Sequence, residues 1–309
     1  MRDAFGEALL AQAEDGADFV VLDADNGRST RTQAFGERFP DRFLNVGCAE
    51  QNLVGVAAGI ASTGVHTIAS TFSVFLCGRA FEQIRNSVCQ ANLAVTLVGT
   101  HAGVTVGHDG PSHFAVEDIA AMRGIPQMRV AVASSDEQVP DLLRLCRSHP
   151  GPSYLRLSRR SVRLPWASAA EWQASAKVRD GADVSILACG EMVRRALAAA
   201  ELLTEDGIEA EVVDLYSVKP LDERAVIDSA AATGAVVVAE EHSRHGGLGE
   251  AVAACLGRNE PVPLEQVALE DTFAESGSPA EVLDAFGLSV GDLVEATRRA
   301  LRRRDARRR

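Results

Sequence analysis

The chain has 309 residues, 46% of them hydrophobic, which is enough for two domains with cores of their own. Acids outnumber Lys and Arg by 43 to 31, for a formal charge of −12, although the final stretch RRALRRRDARRR is strongly basic. The acidic body argues against a nucleic-acid surface, and the basic tail reads as a solvated helix end or a charge-guided contact.

From the N-terminus, 3–13 (DAFGEALLAQA) carries apolar positions at helical spacing, and 18–25 (DFVVLDAD) reads as a buried strand ending in acids. A strand at 42–46, a helix rich in small residues at 49–62 and a strand at 65–70 (VHTIAS) follow. The first half continues with a helix over 72–90, a strand at 93–99 (LAVTLVG) and a long loop at 100–113. It closes with a helix at 114–123, a strand at 128–134, a helix at 135–147 and a strand at 153–158. Residues 160–180 break this rhythm with Pro165, Trp166 and Trp172 and no strand signal, as a linker packed on the surface would. The alternation then resumes, with strands at 183–190, 209–216, 234–241 and 264–269. Helices lie near 191–204, 221–232, 247–257 and 279–304, the last broken near Gly287. Continuous apolar strands between helices predict an α/β fold of two domains, each a mostly parallel sheet flanked by helices. The expected division is 1–160 and 181–309, joined by a linker over 161–180.

Six Cys, at 48, 77, 89, 146, 189 and 255, form no CxxC pair and sit mostly among apolar residues. They read as reduced, buried thiols of a cytoplasmic protein, without zinc-ligand spacing. MRDAFGEALL lacks the apolar run of a signal peptide, and no stretch is long enough to span a bilayer.

Ligands of open parallel sheets sit at the carboxyl ends of the strands. Asp23 and Asp25, Glu50, His101, His108, Asp109, His113 and Arg159 all follow predicted strands. Three His and an Asp within one loop, in a chain with only 7 His, mark the region of GHDGPSHFAVED (107–118) as a site. Glu50 opens a helix among small and apolar residues, where a poorly solvated carboxyl can share or donate a proton. A first-turn Glu favoured by the helix dipole is the alternative. Phe72 and Phe75, three apart, are either core or a ligand platform. RHGGLGE (244–250) lacks GxGxxG spacing and reads as a turn for close helix approach.

Together, TFSVF, GCAEQN and THAGVTVGHDGPSH resemble the C-terminal half of transketolase over nearly the whole chain, a pyrimidine-binding domain followed by the family's C-terminal domain. The resemblance implies thiamine diphosphate chemistry. Glu50 matches the acid that bonds the aminopyrimidine nitrogen and promotes the tautomer that takes the thiazolium C2 proton. Asp25 matches an acid beside the cofactor, and Phe72 and Phe75 the aromatic pocket; a third aromatic common in transketolases falls on Gly78. His101 and His113 match histidines contacting the donor sugar, and Asp109 the acid reading its hydroxyl configuration. Arg159, Ser29 and Arg2 match the phosphate end, where a guanidinium fork suits a phosphate. His108 replaces what is often an acid and is given no catalytic role.

The family's GDG motif for metal and diphosphate does not occur in this sequence. The resemblance is therefore to the small subunit of a split transketolase. It implies a large subunit carrying the diphosphate-binding domain and its Mg²⁺ or Ca²⁺, an α2β2 assembly, sugar-phosphate substrates, and neither a membrane nor a nucleic acid as partner. Four alternatives stand beside it: a 1-deoxyxylulose-5-phosphate synthase-like enzyme, a 2-oxo acid dehydrogenase β-like subunit, a specialised transketolase of secondary metabolism, and a non-catalytic scaffold. GHDGPSH followed by VEDIA favours transketolase over the first two, and Arg159 disfavours a simple oxo-acid substrate.

Overall fold

A strand covered on both faces must be apolar throughout, and the central strands satisfy this: LVG of the fourth and ILA of the eighth lie among residues buried without exception. The computed structural model describes residues 1–164 and 171–308; the middle of the expected linker, 165–170, and Arg309 lie outside the described residues. Six strands come from the first half: β1 (Val20–Asp23), β2 (Phe43–Asn45), β3 (Thr67–Phe72), β4 (Val95–Thr100), β5 (Arg129–Val132) and β6 (Ser153–Arg156). The second half supplies β7 (Ala176–Arg179), β8 (Val184–Ala188), β9 (Ala210–Asp214), β10 (Ser217–Lys219), β11 (Val236–Ser243) and β12 (Leu264–Leu269). They form a seven-stranded sheet of order β10-β5-β6-β4-β3-β1-β2 and a five-stranded sheet of order β12-β11-β8-β9-β7. Each is mostly parallel and flanked by helices, as the alternation predicts.

Both antiparallel pairs lie at sheet edges, and the sequence pattern predicts neither edge strand. Within the predicted linker, β7 pairs with β9. Its four residues, AKVR, are too short for periodicity, and two are charged, as suits an exposed edge. β10 leaves the second half and pairs with Ala131 and Val130 of β5, so the larger sheet is completed across the two halves. Lys219 clamps this crossing by donating to Arg123 O at 2.8 Å and Ile125 O at 2.6 Å.

The helix Glu50–Ala61 buries Leu53, Val54, Ala57, Ala58 and Ala61 on one stripe. Each fully buried Leu or Val stabilises by roughly 1.5–3 kcal/mol, so this face holds Glu50 firmly at the mouth of the sheet. The predicted helix over 72–90 is instead broken into Ser73–Arg79, Phe81–Gln83 and a π-helical stretch Ile84–Cys89, with Phe72 closing β3. The break at Gly287 is as expected: the chain there has φ +76° between helices Pro279–Ala285 and Val290–Arg308. Five Cys are buried as read, but Cys48 is exposed in the turn before Glu50. Among the described residues, no helix is long and apolar enough to cross a membrane.

Candidate functional site

The strand order β6-β4-β3-β1-β2 sets the carboxyl ends of five neighbouring strands side by side. At about 4.8 Å per strand, they make a row of roughly 20 Å. Arg159 follows β6, His101 follows β4, Phe72 closes β3, Asp25 follows β1 and Glu50 follows β2. Residues far apart in sequence, from Asp25 to Arg159, are thus gathered along one edge.

Phe72 and Phe75 lie with ring centroids 6.0 Å apart and planes 20° from parallel, and neither ring is fully buried. The His101 ring is 3.9 Å from Phe72, and His113 stands edge-on to Phe75 at 5.1 Å. Glu50 is 3% exposed. Its two carboxylate oxygens accept from Arg79 Nη1 at 3.0 and 3.1 Å. The Arg79 guanidinium also lies 4.2 Å over the Phe75 ring. Sequence reasoning missed Arg79; its one signal was the four-residue spacing from Phe75, which puts the two side chains on one helix face.

His101 is 2% exposed and adopts φ +56°. Its Nδ1 is 3.0 Å from Thr100 Oγ1, and its Nε2 is 3.5 Å from Arg2 Nη1. Arg can only donate, so Nε2 is the acceptor and the ring proton resides on Nδ1, directed to Thr100. Burial, followed by the charges of Arg2 and Arg159, pushes this histidine down to about 3. It is therefore a neutral imidazole at physiological pH. Arg2 also donates to Ser29 O at 3.2 Å, while its Nε is buried without a hydrogen-bond partner among the described residues.

The histidine loop is built from two 3₁₀ turns, Gly107–Asp109 and Pro111–His113. Arg159 pins it by donating to Val106 O at 3.1 Å and to Asp109 Oδ2 at 3.4 Å. Asp109 and His108 are exposed, and His113 Nδ1 is 3.0 Å from Ser112 Oγ. Asp25 is held by a reciprocal pair with Asn45, at 3.1 and 3.0 Å, and shares a cavity of about 330 Å³ with Ser29. Asp23 does not face that site freely. Its buried carboxylate accepts from Thr30 and Thr32 hydroxyls at 2.8 and 2.7 Å and from the Asn26 amide, tying down the turn after β1.

A flat wall of partly open rings beside a buried carboxylate fits an aromatic base that can donate hydrogen bonds. Arg79, a flat donor group, already makes both contacts. The wall beside it is open: a side chain added at Gly78 would meet nothing within 4 Å. Among the described residues, no group of three His, Cys, Asp or Glu could hold a metal ion.

Residues 1–165 match the transketolase pyrimidine binding domain, and residues 174–293 match the transketolase C-terminal domain. A protein of Methanocaldococcus jannaschii whose name assigns it to a transketolase C-terminal section is 42% identical over 295 residues, covering 93% of this chain and 92% of its own. A 6-deoxy-6-sulfo-D-fructose transketolase subunit of a Clostridium species is 40% identical over 309 residues, covering 99% and 96%. Among solved structures, a split-gene transketolase in the form of an inactive beta4 tetramer superposes with a TM-score of 0.92 at 44% identity, over 98% of each chain.

Proposed function

The chain belongs to the transketolase family, and from that premise we propose that it is the pyrimidine-binding subunit of a split transketolase. In this reading it moves a two-carbon ketol unit from a ketose phosphate to an aldose acceptor, and it is active only with a partner subunit. Transketolases are generally thiamine diphosphate dependent. When bound, that cofactor supplies the nucleophilic carbon that carries the ketol unit.

The observation that carries the proposal is the unbroken line of contacts Glu50–Arg79–Phe75–Phe72–His101–Arg2 along one sheet edge. Phe72 and Phe75 would wall the pyrimidine ring. Glu50 would hold a proton at the ring nitrogen, where its burial makes the hydrogen bond strong. His101 would accept at Nε2 from a donor hydroxyl, and His113 would face the sugar carbonyl. Asp109 would read the hydroxyl configuration, and Asp25 would lie beside the cofactor. Arg159, Ser29 and Arg2, with its free Nε, would meet the anionic end of the sugar.

The diphosphate and its Mg²⁺ or Ca²⁺ would be held by the partner subunit, with two copies of each chain in the assembly. Residues 1–160 would form the pyrimidine-binding unit, 161–180 the linker and 181–309 the C-terminal unit. The Clostridium relative favours one variation, a donor ending in sulfonate in place of phosphate. Both are tetrahedral anions that a guanidinium can hold.

Calorimetric titration of thiamine diphosphate and Mg²⁺ into this chain alone, then into its complex with a diphosphate-binding subunit, tests the reading. Tight binding by the complex only is expected. Tight binding by the chain alone overturns the two-subunit site. Donor assays with phosphate- and sulfonate-ended ketoses then separate the two substrates.

A further inference from the structure

The histidine loop is held from beneath by the second half of the chain. β11 runs through the smaller sheet and ends under this loop, where Glu241, 2% exposed, accepts the Thr105 amide on Oε1 at 2.6 Å. A loop amide has no ladder partner, so a buried one must find an acceptor elsewhere. Gly103, at φ +78°, lies directly against the same carboxylate, and any side chain there would overlap it. Arg156, 4% exposed, ties both sides together: it donates to Glu241 O at 2.9 Å and Ala115 O at 3.1 Å. At the far end of the loop, a side chain on Gly107 would come within 3.0 Å of Gly277 O. Beyond the loop, Ser243 N donates to Val116 O at 2.7 Å.

We infer that Glu241 is a positioning residue for the histidine loop, and that the second half of the chain is the template on which His101, Asp109 and His113 are aligned. A carboxyl suits the task because it keeps an acceptor oxygen for the Thr105 amide whether it is ionised or protonated. Burial, countered by the nearby Arg156, leaves Glu241 raised to about 7. Its protonated form, which Gln imitates, is therefore already present at neutral pH. The effect on catalysis rests on the function proposed above; the anchoring of the loop does not.

The test uses Glu241→Ala and Glu241→Gln in the full chain, read first by amide hydrogen exchange with mass spectrometry. Loss of the acceptor is expected to speed exchange in peptides spanning 101–115 by about ten- to a hundredfold, with peptides of β8 unchanged. Gln, which keeps an oxygen for Thr105, is expected to restore protection. In the complex with the diphosphate-binding subunit, Glu241→Ala is expected to raise the donor KM more than it lowers kcat, and Gln to bring KM back. A role in folding alone would instead lower kcat through loss of active protein. Unchanged loop exchange in folded Glu241→Ala overturns the inference and leaves the proposed function standing. Faster exchange with unchanged KM and kcat leaves the anchor standing and overturns the loop's role with sugar. Should Glu241→Ala fail to fold, Glu241→Asp, which shortens the arm by one methylene, reads the same contact.

Discussion

Arg79 reaches both oxygens of Glu50 with one nitrogen while its guanidinium carbon lies 4.2 Å from the centre of the Phe75 ring. The carboxylate is buried but the arginine is half exposed, at 3% and 52%. The pair is therefore solvent-screened at one end and contributes no more than about 1 kcal/mol to stability. Glu50→Gln should fold with an almost unchanged melting temperature. Turnover in the reconstituted complex should fall by about 10²- to 10⁴-fold, the usual worth of a positioned proton-transfer group. Retained turnover would mark Glu50 as scaffold.

His101 is held neutral by burial and by two arginines, with its transition near 3. Its NMR ring-carbon shifts should therefore stay flat from pH 8 down to 5, where an ordinary histidine titrates midway. The folded value lies below the unfolded one, near 6.5, so the unfolded chain binds the proton first. The contribution to stability is present above about 6.5 and is lost as pH falls toward 3. A titration step near 6.5 would show that the ring is solvated and that Arg2 does not face it.

Much of the architecture was legible because buried parallel strands are apolar throughout and so stand out from flanking helices. β4 and β8 announce themselves this way. β7 and β10 do not, because each is three or four residues long and takes its partner from distant sequence. The same limit applies to the site. The motifs around Glu50, Phe72 and His101 are local, so they could be read. Arg79, Arg156 and Glu241 gain their roles only through partners brought near by folding: Arg156 and Glu241 are 85 residues apart. In sequence Arg79 looks like an ordinary helix charge, and Arg156 and Glu241 are single charges in predicted strands with nothing nearby to name a partner.

Gly78 sits in the helix Ser73–Arg79 with free space where a side chain would grow. Gly78→Ala should stabilise the subunit by about 0.5 kcal/mol, because a helical glycine loses more backbone entropy on folding. Gly78→Tyr should also fold, and should tighten thiamine diphosphate binding in the complex by completing the aromatic wall. Paired melting curves and cofactor titrations would read both effects. Weaker cofactor binding by Gly78→Tyr would mean that this gap is needed, as a space for Arg79 to move into.

Asp214, at the end of β9, joins the two sheets. Its carboxyl oxygens accept from Ser134 Oγ at 2.8 Å and from Gln138 Nε2 at 2.6 Å, both in the segment after β5. Complete burial pushes it up to about 7, with those two hydrogen bonds opposing the rise. The folded value thus lies above the unfolded one of 3.8, and between them the unfolded chain releases its proton while the native state keeps it. The contribution to stability is full below about pH 4, falls as pH rises to about 7, and is then constant. A displacement of this size changes stability by roughly 4 kcal/mol across that range. Asp214→Asn imitates the protonated acid: it keeps an oxygen for Gln138 and turns its amide NH2 toward the Ser134 hydroxyl, which can accept. Urea unfolding at fixed ionic strength should therefore show the difference between wild type and Asp214→Asn moving in favour of the variant as pH rises from 4 to 7. A difference moving the other way would mean that the two hydrogen bonds outweigh burial and that an ionised carboxylate joins the sheets.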